Sequence, residues 1–569
     1  MPYDVIVVGG GHNGLTCACY LQKAGLRVLV LERRPIIGGA VCTETMFGGY
    51  RIDVGSSAHI MIHLTPVVRD LELEHYGLDY IDMDPFAFYP LPDGSGAIEF
   101  WRDLDYTCAS IEKISPRDAI AYRRFVEFWD AINAGVFSAF LKPPTPGNLA
   151  WAMATGQFNR AGSSGGSLDT LRRLFTSYGQ LIDETFESEA MRAALGWLAA
   201  QSGPPPDEIG TGDFAGWHAM LHRSGAKHPR GGSGMLTQAL QRCLEAHGGE
   251  VRLNAEVSRI VVEGGRVRGV ELGSGDGAER IEAPIVVSNA HVQTTLLKLV
   301  GDAALPNDLA ARVRGIRVGN GFGMAVRCAA NALPDYLAAP SGGRPHPSHN
   351  GLQLLCPSVD YLKRAYEDYR TGVPARSPAA IAMTFSALDP EVAPAGKHTL
   401  FVWGQYHPYA LSGGEDWDAI AEREADKLLE VVYRYAPNMR GAITDRYIQT
   451  PLDLERTLGL LRGNVMHVEM SFDQMFCFRP LPELSAYKVP AIGGLYLTGA
   501  STHPGGGVFA ASGYNTAGVV LRDHRGRVRP GLRRAALAGV AVGAAGAMLA
   551  GAARRQGSIM LRTLRRDSE

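Results

Sequence analysis

The chain has 569 residues, of which 46% are hydrophobic and 20% charged, and its formal net charge at pH 7 is −2. This length exceeds what one hydrophobic core ordinarily covers, so we expect a folded protein with two or three interleaved lobes. The near-neutral charge excludes a general basic field for a polyanion, and nucleic acid is therefore not an expected partner.

The eight cysteines show no pairing or metal-ligand pattern. Cys17 and Cys19 lie two apart in a predicted helix, and the chain contains no CxxC pair. This spacing predicts buried thiols in a reducing compartment and no metal site. It disfavours a flavin disulfide reductase, which would need a redox-active pair soon after its first glycine loop. Because Met1 runs almost directly into a strand, without the pattern of a signal peptide, we expect a cytoplasmic protein.

The first sixty residues have the pattern strand, glycine turn, helix, strand. The apolar run at residues 5–8 is followed by Gly9, Gly11 and Gly14 in GxGxxG spacing, and the returning strand ends at Glu32. The glycines permit a tight turn, admit a pyrophosphate to the helix N-terminus and allow close helix packing. Glu32 can accept hydrogen bonds from the adenosine ribose. With these parts in register, the pattern predicts a dinucleotide-binding fold.

Other residues complete the predicted cofactor site. His12 and Asn13 lie inside the glycine loop, where we interpret them as positions that tolerate unusual backbone angles rather than as chemical groups. The remaining predicted cofactor contacts are Arg33, Gly38, Gly39, Arg51, Val257, Gly499, Ala500, Gly506, Gly507 and Val508.

The rest of the chain alternates between helical and strand-rich stretches, with no internal repeat. The predicted fold class is α/β: a Rossmann-like dinucleotide-binding domain, an interleaved substrate domain with a mixed, mostly antiparallel sheet, and a helical insertion. The predicted division is 1–115 for the first part of the cofactor domain, 116–230 for the helical insertion, 231–300 for the second cofactor part, 301–485 for the substrate domain, 486–525 for the C-terminal cofactor segment and 526–569 for a tail.

The tail contains an apolar run at residues 535–553 with arginines on both sides. Its length just reaches the lower limit for a membrane helix, but its many alanines and glycines contribute little to insertion. The sequence leaves a membrane-associating helix and a solvent-facing helical tail open. Flanking arginines suit an anionic membrane surface, so we expect peripheral membrane association.

Five segments have distinctive sequences: GSSAH at 55–59, AQSGPP at 200–205, RVGNGFG at 317–323, RGNVMHVEMSFDQM at 462–475 and TGASTHPGGGV at 498–508. Together with the glycine pair after Glu32, they resemble the phytoene-desaturase-related FAD oxidoreductases, and most of all the desaturase-like bacterial β-carotene ketolases. The matched segments run from the N-terminus to about residue 523.

This resemblance implies a Rossmann-like FAD-binding domain of the glutathione-reductase-2/amine-oxidase type, FAD as the cofactor and a long hydrophobic polyene as the substrate. For a ketolase it implies a carbonyl introduced at C4 of the β-ionone ring. It also implies that the helix after residue 508 points its positive end at the flavin, where it would stabilise the reduced form. No second GxGxxG unit of similar quality occurs, so the flavin would be reoxidised by an external acceptor, with quinone and O₂ left open.

Four polar residues lie within the matched motifs and are the candidate catalytic groups: His59, His467, Glu469 and His503. For each, a hydrogen-bonded core or loop residue is the alternative interpretation. The candidate tunnel aromatics, for which ordinary core packing is the alternative, are Trp217, Phe322, Phe472, Phe476 and Phe478.

Three other functions stay open at this point. Close relatives of the ketolases include phytoene and carotenoid desaturases and isomerases, and fold kinship does not fix the reaction. A flavin amine oxidase would share the same FAD lobe, with a compact amine site and peroxide release. A flavin-bearing interaction protein without turnover is the non-enzymatic alternative, against which the intact cofactor motifs argue.

Overall fold

The computed structural model describes residues 2–149, 166–273 and 275–524. The predicted tail helix at 535–553 lies outside the described residues. Within them, no helix is both long and apolar enough to cross a membrane.

The cofactor half is built on a five-stranded parallel sheet. Its strand order is Leu495–Leu497, Ile285–Ser288, Val5–Val8, Val28–Leu31 and Glu250–Arg252. The central strand is apolar and buried at every position, as expected for a parallel strand covered on both faces. Three segments distant in sequence thus meet in one sheet, and the predicted α/β fold with a Rossmann-like domain is confirmed.

Both faces of this sheet are covered. One face packs against the helices His12–Lys23, Gly234–Ala246 and Ala511–Asp523. The other packs against a three-stranded antiparallel sheet and the helix Asn307–Arg314. The strands of this second sheet are Val257–Glu263, Arg266–Leu272 and Glu279–Glu282.

The substrate half contains a seven-stranded sheet. Its strand order is Ile443–Gln449, Gly321–Ala330, His398–Pro408, Ala380–Met383, Leu352–Leu355, Ala87–Pro90 and Ala97–Phe100. All neighbours are antiparallel except the pair Leu352–Leu355 and Ala87–Pro90. The last two strands come from the segment 1–115, which the sequence assigned to the cofactor domain. They lie in the other half because the pairing of short strands is decided by contacts distant in sequence.

A helical layer covers this sheet. Its longest helix, Pro116–Phe140, begins with proline at the first position and with Ser115 as cap, whose hydroxyl accepts from the Asp118 backbone N–H. Its buried face includes Phe125 and Trp129. The other helices of the layer are Leu104–Glu112, Gly166–Phe175, Tyr178–Thr185, Glu189–Ala200, Gly212–Trp217 and Leu221–Ser224.

The remaining elements are two short antiparallel strand pairs and four helices. Thr43–Met46 forms a hairpin with Tyr50–Asp53, and Tyr80–Met83 pairs with Ala226–Pro229, which is distant in sequence. The remaining helices are Val67–Asp70, Val359–Arg370, Trp417–Tyr435 and Pro451–Leu458.

Candidate functional site

The glycine loop after the first strand is closely packed. Gly9 has φ +93°, and a Cβ added to Gly14 would lie 2.5 Å from the carbonyl oxygen of Gly9. The helix His12–Lys23 has Gly11 as its N-cap, with no side-chain cap hydrogen bond. Its first backbone N–H groups are therefore available to an anionic ligand.

Glu32 is fixed at the end of the returning strand. Its Oε2 accepts from the Gly10 N–H at 2.8 Å, and its Oε1 accepts from the Arg34 N–H at 2.9 Å. The side chain is buried, yet it lines the same cavity as the glycine loop. This carboxylate is therefore held in one orientation toward the cavity, as an acceptor for a ribose requires.

A cavity of about 660 Å³ opens along this loop. Six of the residues that line it are glycines, which let backbone groups face the cavity. The predicted cofactor residues that line it are Gly9, Gly11, His12, Asn13, Glu32, Arg33, Gly38, Gly39, Val257 and Ala500. A cavity that runs along the glycine loop, with a free helix N-terminus and a fixed carboxylate, fits an adenine dinucleotide such as FAD.

Five other predicted cofactor residues are not among those that line this cavity. Gly14 packs the helix against Gly9, and a Cβ on Gly499 would meet the Asn289 Oδ1 at 2.9 Å. A Cβ on Gly506 would lie 2.9 Å from the Met466 Sδ, and one on Gly507 would lie 3.4 Å from the Met61 Cγ. Val508 is buried with φ +51°.

Arg51 lies away from the cofactor cavity. Its Nη2 donates to the Met235 Sδ at 3.5 Å, and its side chain lines a separate small cavity together with Arg327. The sequence alone could not tell whether Arg51 lines the cofactor cavity or the separate small cavity, because the motif does not fix the geometry of the residues between Gly39 and Arg51.

Three histidines line the cofactor cavity: His12, His291 and His467. Burial lowers the pKa of His12 to about 4, and burial also lowers the pKa of His291 to about 4. His291 donates from Nε2 to the His467 carbonyl oxygen at 2.9 Å, while its Nδ1 accepts from the Gln293 N–H at 3.2 Å. These two bonds define a neutral tautomer.

His467 adopts an unusual backbone conformation, with φ +65°. Its Nδ1 is buried without a hydrogen-bond partner, and burial holds its pKa well below the ordinary value. His467 is thus a neutral imidazole at the cavity wall with one free ring nitrogen. His291, which holds it, was missed by the sequence reasoning, although its position just after the strand Ile285–Ser288 could have indicated it.

The four catalytic candidates do not converge. Only His467 lines the cofactor cavity. His59 is buried and bonds the Tyr80 hydroxyl at 2.9 Å and the Ser233 hydroxyl at 2.8 Å. His503 is buried with its Nε2 3.3 Å from the Ala139 carbonyl oxygen, and burial lowers its pKa to about 3.

Glu469 lines a second cavity of about 120 Å³. The apolar and aromatic side chains in its wall are Phe322, Tyr366, Tyr369, Met466 and Met470. Met466 precedes His467, so the segment 464–470 separates the second cavity from the cofactor cavity. This arrangement suits an apolar ligand beside the cofactor.

The mouth of the second cavity carries charge that is largely paired. Arg317 donates from Nε to Glu469 at 3.0 Å and from Nη2 to Asp473 at 2.6 Å. Burial raises the pKa of Glu208, which lines the same cavity. Little net charge is therefore left to attract a strongly ionic ligand.

The predicted tunnel aromatics separate into three groups. Phe322 lines the second cavity. Trp217 and Phe476 pack against the Phe140 ring, at 6.1 and 5.7 Å between centroids. Phe472 and Phe478 are exposed, with 48% and 42% of their surface accessible.

The cysteines lie outside the walls of both cavities. All eight are within the described residues and are free, and all but the half-buried Cys477 are buried. Their thiols are therefore not placed to react with a bound flavin.

Comparison with known sequences gives matches over nearly the whole chain. The profile of the family described as flavin containing amine oxidoreductase matches residues 14–521. The pyridine nucleotide-disulfide oxidoreductase domain-containing protein 2 of Rattus norvegicus is 33% identical, over 92% of this chain and 94% of the relative. A subunit of the limonene dehydrogenase of Castellaniella defragrans is 30% identical, over 91% and 94%. The lycopene-forming phytoene desaturase of Pantoea ananas is 27% identical, over 91% and 99%.

Solved structures show the same fold at lower identity. An oxidoreductase from Methanosarcina mazei aligns with TM-score 0.59 and 19% identity, over 91% of this chain and 99% of that chain. Putrescine oxidase bound to putrescine aligns with TM-score 0.56 and 16% identity, over 92% and 99%.

Proposed function

The chain belongs to the flavin containing amine oxidoreductase family and is related to the phytoene desaturases, and from this premise we propose that it oxidises an isoprenoid hydrocarbon. FAD is its cofactor and it is an FAD-dependent oxidoreductase, as predicted. The observation that carries the proposal is the second cavity, whose wall includes Phe322, Met466 and Met470 and which shares the segment 464–470 with the cofactor cavity.

The chemistry requires a hydride acceptor and a dry site for an allylic C–H bond. FAD, when bound, supplies the hydride acceptor at its N5 atom. Side chains such as Phe322 and Met470 exclude water and hold the hydrocarbon in place. Removing hydride also requires that a proton leave the substrate, and His467, which lies in the segment between the two cavities, is the residue we assign to accept it.

The finer proposal is oxidation of β-carotene at C4 of its ionone ring. It is supported by the motif resemblance and by two relatives, a limonene dehydrogenase and a phytoene desaturase, whose named substrates are isoprenoid hydrocarbons. Desaturation or isomerisation of a carotenoid is the alternative. Ketolation and desaturation can both start with removal of hydride from an allylic position, so the cavity alone supports either. The acceptor that reoxidises the flavin, quinone or O₂, stays a prediction.

A second candidate is oxidation of an amine. Two observations favour it: the Tyr366 and Tyr369 rings lie 5.5 Å apart in the second cavity, and the carboxyl of Glu208 lies in the same wall. Aromatic faces and a carboxylate attract a cationic amine. The pairing of Glu469 with Arg317 and the raised pKa of Glu208 weaken this attraction.

We also propose peripheral association with a membrane. Five exposed apolar side chains are here called the apolar patch: Leu168, Leu171 and Phe175 of the helix Gly166–Phe175, together with Ile209 and Phe472. The Phe175 and Phe472 rings are 5.3 Å apart, and Phe472 follows Ser471 in the cavity wall. Such a patch is typical of an interaction surface, and an isoprenoid substrate dissolves in lipid.

We expect Phe175→Ser to reduce sedimentation with neutral lipid vesicles and Tyr106→Ser, exposed outside the patch, to leave it unchanged. Equal binding by both variants contradicts the proposal.

Expression in bacteria that accumulate either β-carotene or phytoene tests the substrate. Echinenone or canthaxanthin in the first strain establishes ketolation, whereas new desaturated products from phytoene alone establish the alternative. If neither pigment changes, purified holoprotein is mixed anaerobically with limonene and with putrescine, and loss of the oxidised flavin absorbance is followed. Bleaching by putrescine alone overturns the isoprenoid proposal.

A further inference from the structure

Arg479 is a buried cation without a carboxylate partner. Its side chain is 0% exposed. Its guanidinium donates to the carbonyl oxygens of Met466 at 2.6 Å, Ala500 at 2.7 Å and Val468 at 3.3 Å. Among the described residues, all its oxygen acceptors are backbone carbonyls. The chain thus holds a positive charge that only carbonyl dipoles compensate.

Such a charge is costly to bury, and burial lowers the pKa of Arg479 to about 9. The guanidinium nevertheless stays protonated at neutral pH, because this value is still well above 7. A buried, uncompensated cation of this kind is most easily accommodated where a negative charge appears nearby.

The position of Arg479 relates it to the cofactor. Two of its acceptors, Met466 and Val468, flank His467, and a third, Ala500, itself lines the cofactor cavity. One side chain therefore joins the two chain segments that form this part of the wall. Its charge is also felt in the cavity, because it adds to the effect of burial in lowering the pKa of His291 and His467.

We propose that Arg479 is a positioning residue that binds the two segments of the cofactor wall together and raises the reduction potential of bound FAD. Reduction transfers a hydride equivalent, two electrons and one proton, from a substrate C–H bond to the flavin, while the second substrate proton leaves to a base. The flavin thereby gains one negative charge, which the nearby guanidinium stabilises. This role depends on FAD alone and is independent of which substrate is oxidised.

The test compares purified holoproteins of Arg479→Met and Arg479→Lys with the wild type. We expect Arg479→Met to weaken binding of reduced FAD about tenfold more than binding of oxidised FAD. For a two-electron couple this corresponds to a reduction potential about 30 mV lower. Arg479→Lys keeps the charge but not the fork of donors, so we expect weaker binding of both forms with a potential close to the wild type.

Arg327→Met is the matched control. Arg327 is also buried and also donates to a backbone carbonyl, that of Asp53, but it lies away from the cofactor cavity. We expect this variant to lose thermal stability without a change in potential. The proposal is overturned if Arg479→Met keeps the wild-type potential, or if Arg327→Met lowers the potential equally.

If Arg479→Met yields no folded holoprotein, the reduction potential of Arg479→Lys decides whether the proposal holds. A potential lowered by about 30 mV or more in this charge-preserving variant shows that geometry and not charge is responsible, and contradicts the inference. The reduction potentials can be measured with a chemical reductant even if every substrate test fails. The proposal for Arg479 and the proposal of an isoprenoid substrate can therefore be overturned independently.

Discussion

The cofactor cavity and the second cavity are assembled from the chain in different ways. The strand–loop–helix–strand unit within residues 8–40 supplies a large part of the first wall, and an added Cβ on Gly11 or Gly38 would lie 2.7 or 2.3 Å from its nearest neighbour. The second cavity takes its side chains from separate elements, among them Phe322 from a strand and Tyr369 from a helix. The glycine loop of the first cavity is therefore specified by local sequence, whereas the second cavity depends on contacts between distant segments.

This difference has a consequence for how each cavity tolerates change. A backbone wall cannot yield, because a new side chain has nowhere to go without moving the sheet or the helix. A side-chain wall can be remodelled one residue at a time, and its ligand changes with it. We expect substitutions at the cofactor wall to abolish function and substitutions at the second cavity to alter preference.

The largest effect is expected from Gly14→Val, which breaks the cofactor wall. The added Cβ would lie 2.5 Å from the Gly9 carbonyl oxygen and 3.1 Å from the Asn289 Cβ, so the helix must move away from the loop. Overpacking of this kind costs roughly 1–3 kcal/mol, and we expect FAD retention after gel filtration to fall to background.

Gly518→Ala is the control for that variant. Gly518 lies in the helix Ala511–Asp523, and a Cβ there would meet nothing within 4 Å. Alanine is the better helix former by roughly 0.5–1 kcal/mol, so we expect normal flavin content and a slightly higher melting temperature. Full flavin content in Gly14→Val would show that this wall yields after all.

The second prediction uses the neutral histidines of the cofactor cavity. The pKa of buried His291 is lowered from 6.5 to about 4, so the unfolded chain binds a proton more readily than the folded one. Stability is therefore unaffected above pH 6.5 and is lost as pH falls from 6.5 toward 4, by about 3 kcal/mol for this group. Thermal unfolding at steps between about pH 7 and pH 4 measures the loss.

We expect His291→Gln to flatten this pH dependence, since glutamine keeps a donor for the His467 carbonyl and cannot be protonated in this range. The wild type and the variant should then differ in slope below pH 6.5 and run parallel above it. Identical slopes throughout the range would mean that His291 does not titrate as its burial implies.

The contrast between the walls also explains what the sequence could predict. GxGxxG, the acid at Glu32 and the strand and helix periods are local features, and they identified the dinucleotide-binding fold, while the family resemblance implied FAD; together they gave ten of the residues that line the cofactor cavity. Arg51 was placed at this cavity only by its spacing from Gly39, and the structure puts it elsewhere.

The second cavity could not be derived in this way. Glu469 and His467 are two residues apart in one motif, yet they line different cavities. His59 and His503 lie in matched motifs but are buried in the interior, where both ring nitrogens of His59 and the Nε2 of His503 are hydrogen-bonded. Arg479 gave no sequence signal at all, because a buried arginine is recognised only when its carbonyl partners are seen. Which side chains meet is a tertiary property, and a single sequence does not contain it in local form.

A smaller effect, on FAD affinity, is expected from Glu32→Gln. This substitution removes a charge from the wall of the cofactor cavity and leaves the shape of the side chain almost unchanged. The amide keeps one acceptor oxygen but loses the negative charge that Gly10 and Arg34 backbone N–H groups orient. Hydrogen bonds to charged groups contribute about 1.5–3 kcal/mol, so FAD affinity should fall about tenfold or more. Fluorescence titration of apoprotein with FAD measures this affinity.

Glu256→Gln is the control, because Glu256 is an exposed residue in the wall of the same cavity. This variant should bind FAD as the wild type does, and an equal loss of affinity there would assign the effect to net charge alone.

The smallest effect is expected at the second cavity, from Phe322→Leu. The ring is buried against Gly203, where a Cβ would lie 2.8 Å from the Phe322 Cε2, so leucine shortens the wall without adding a polar atom. Losing part of an apolar contact with substrate costs about 1 kcal/mol, and KM for the hydrocarbon should rise about fivefold. FAD affinity should not change, because no atom of the cofactor wall is touched.

Phe478→Leu, exposed and absent from the second cavity's wall, is the control and should leave both constants unchanged. If Phe322→Leu instead releases flavin while KM stays constant, a change in the second cavity alters FAD binding. The two cavities then do not respond independently to substitution in this protein.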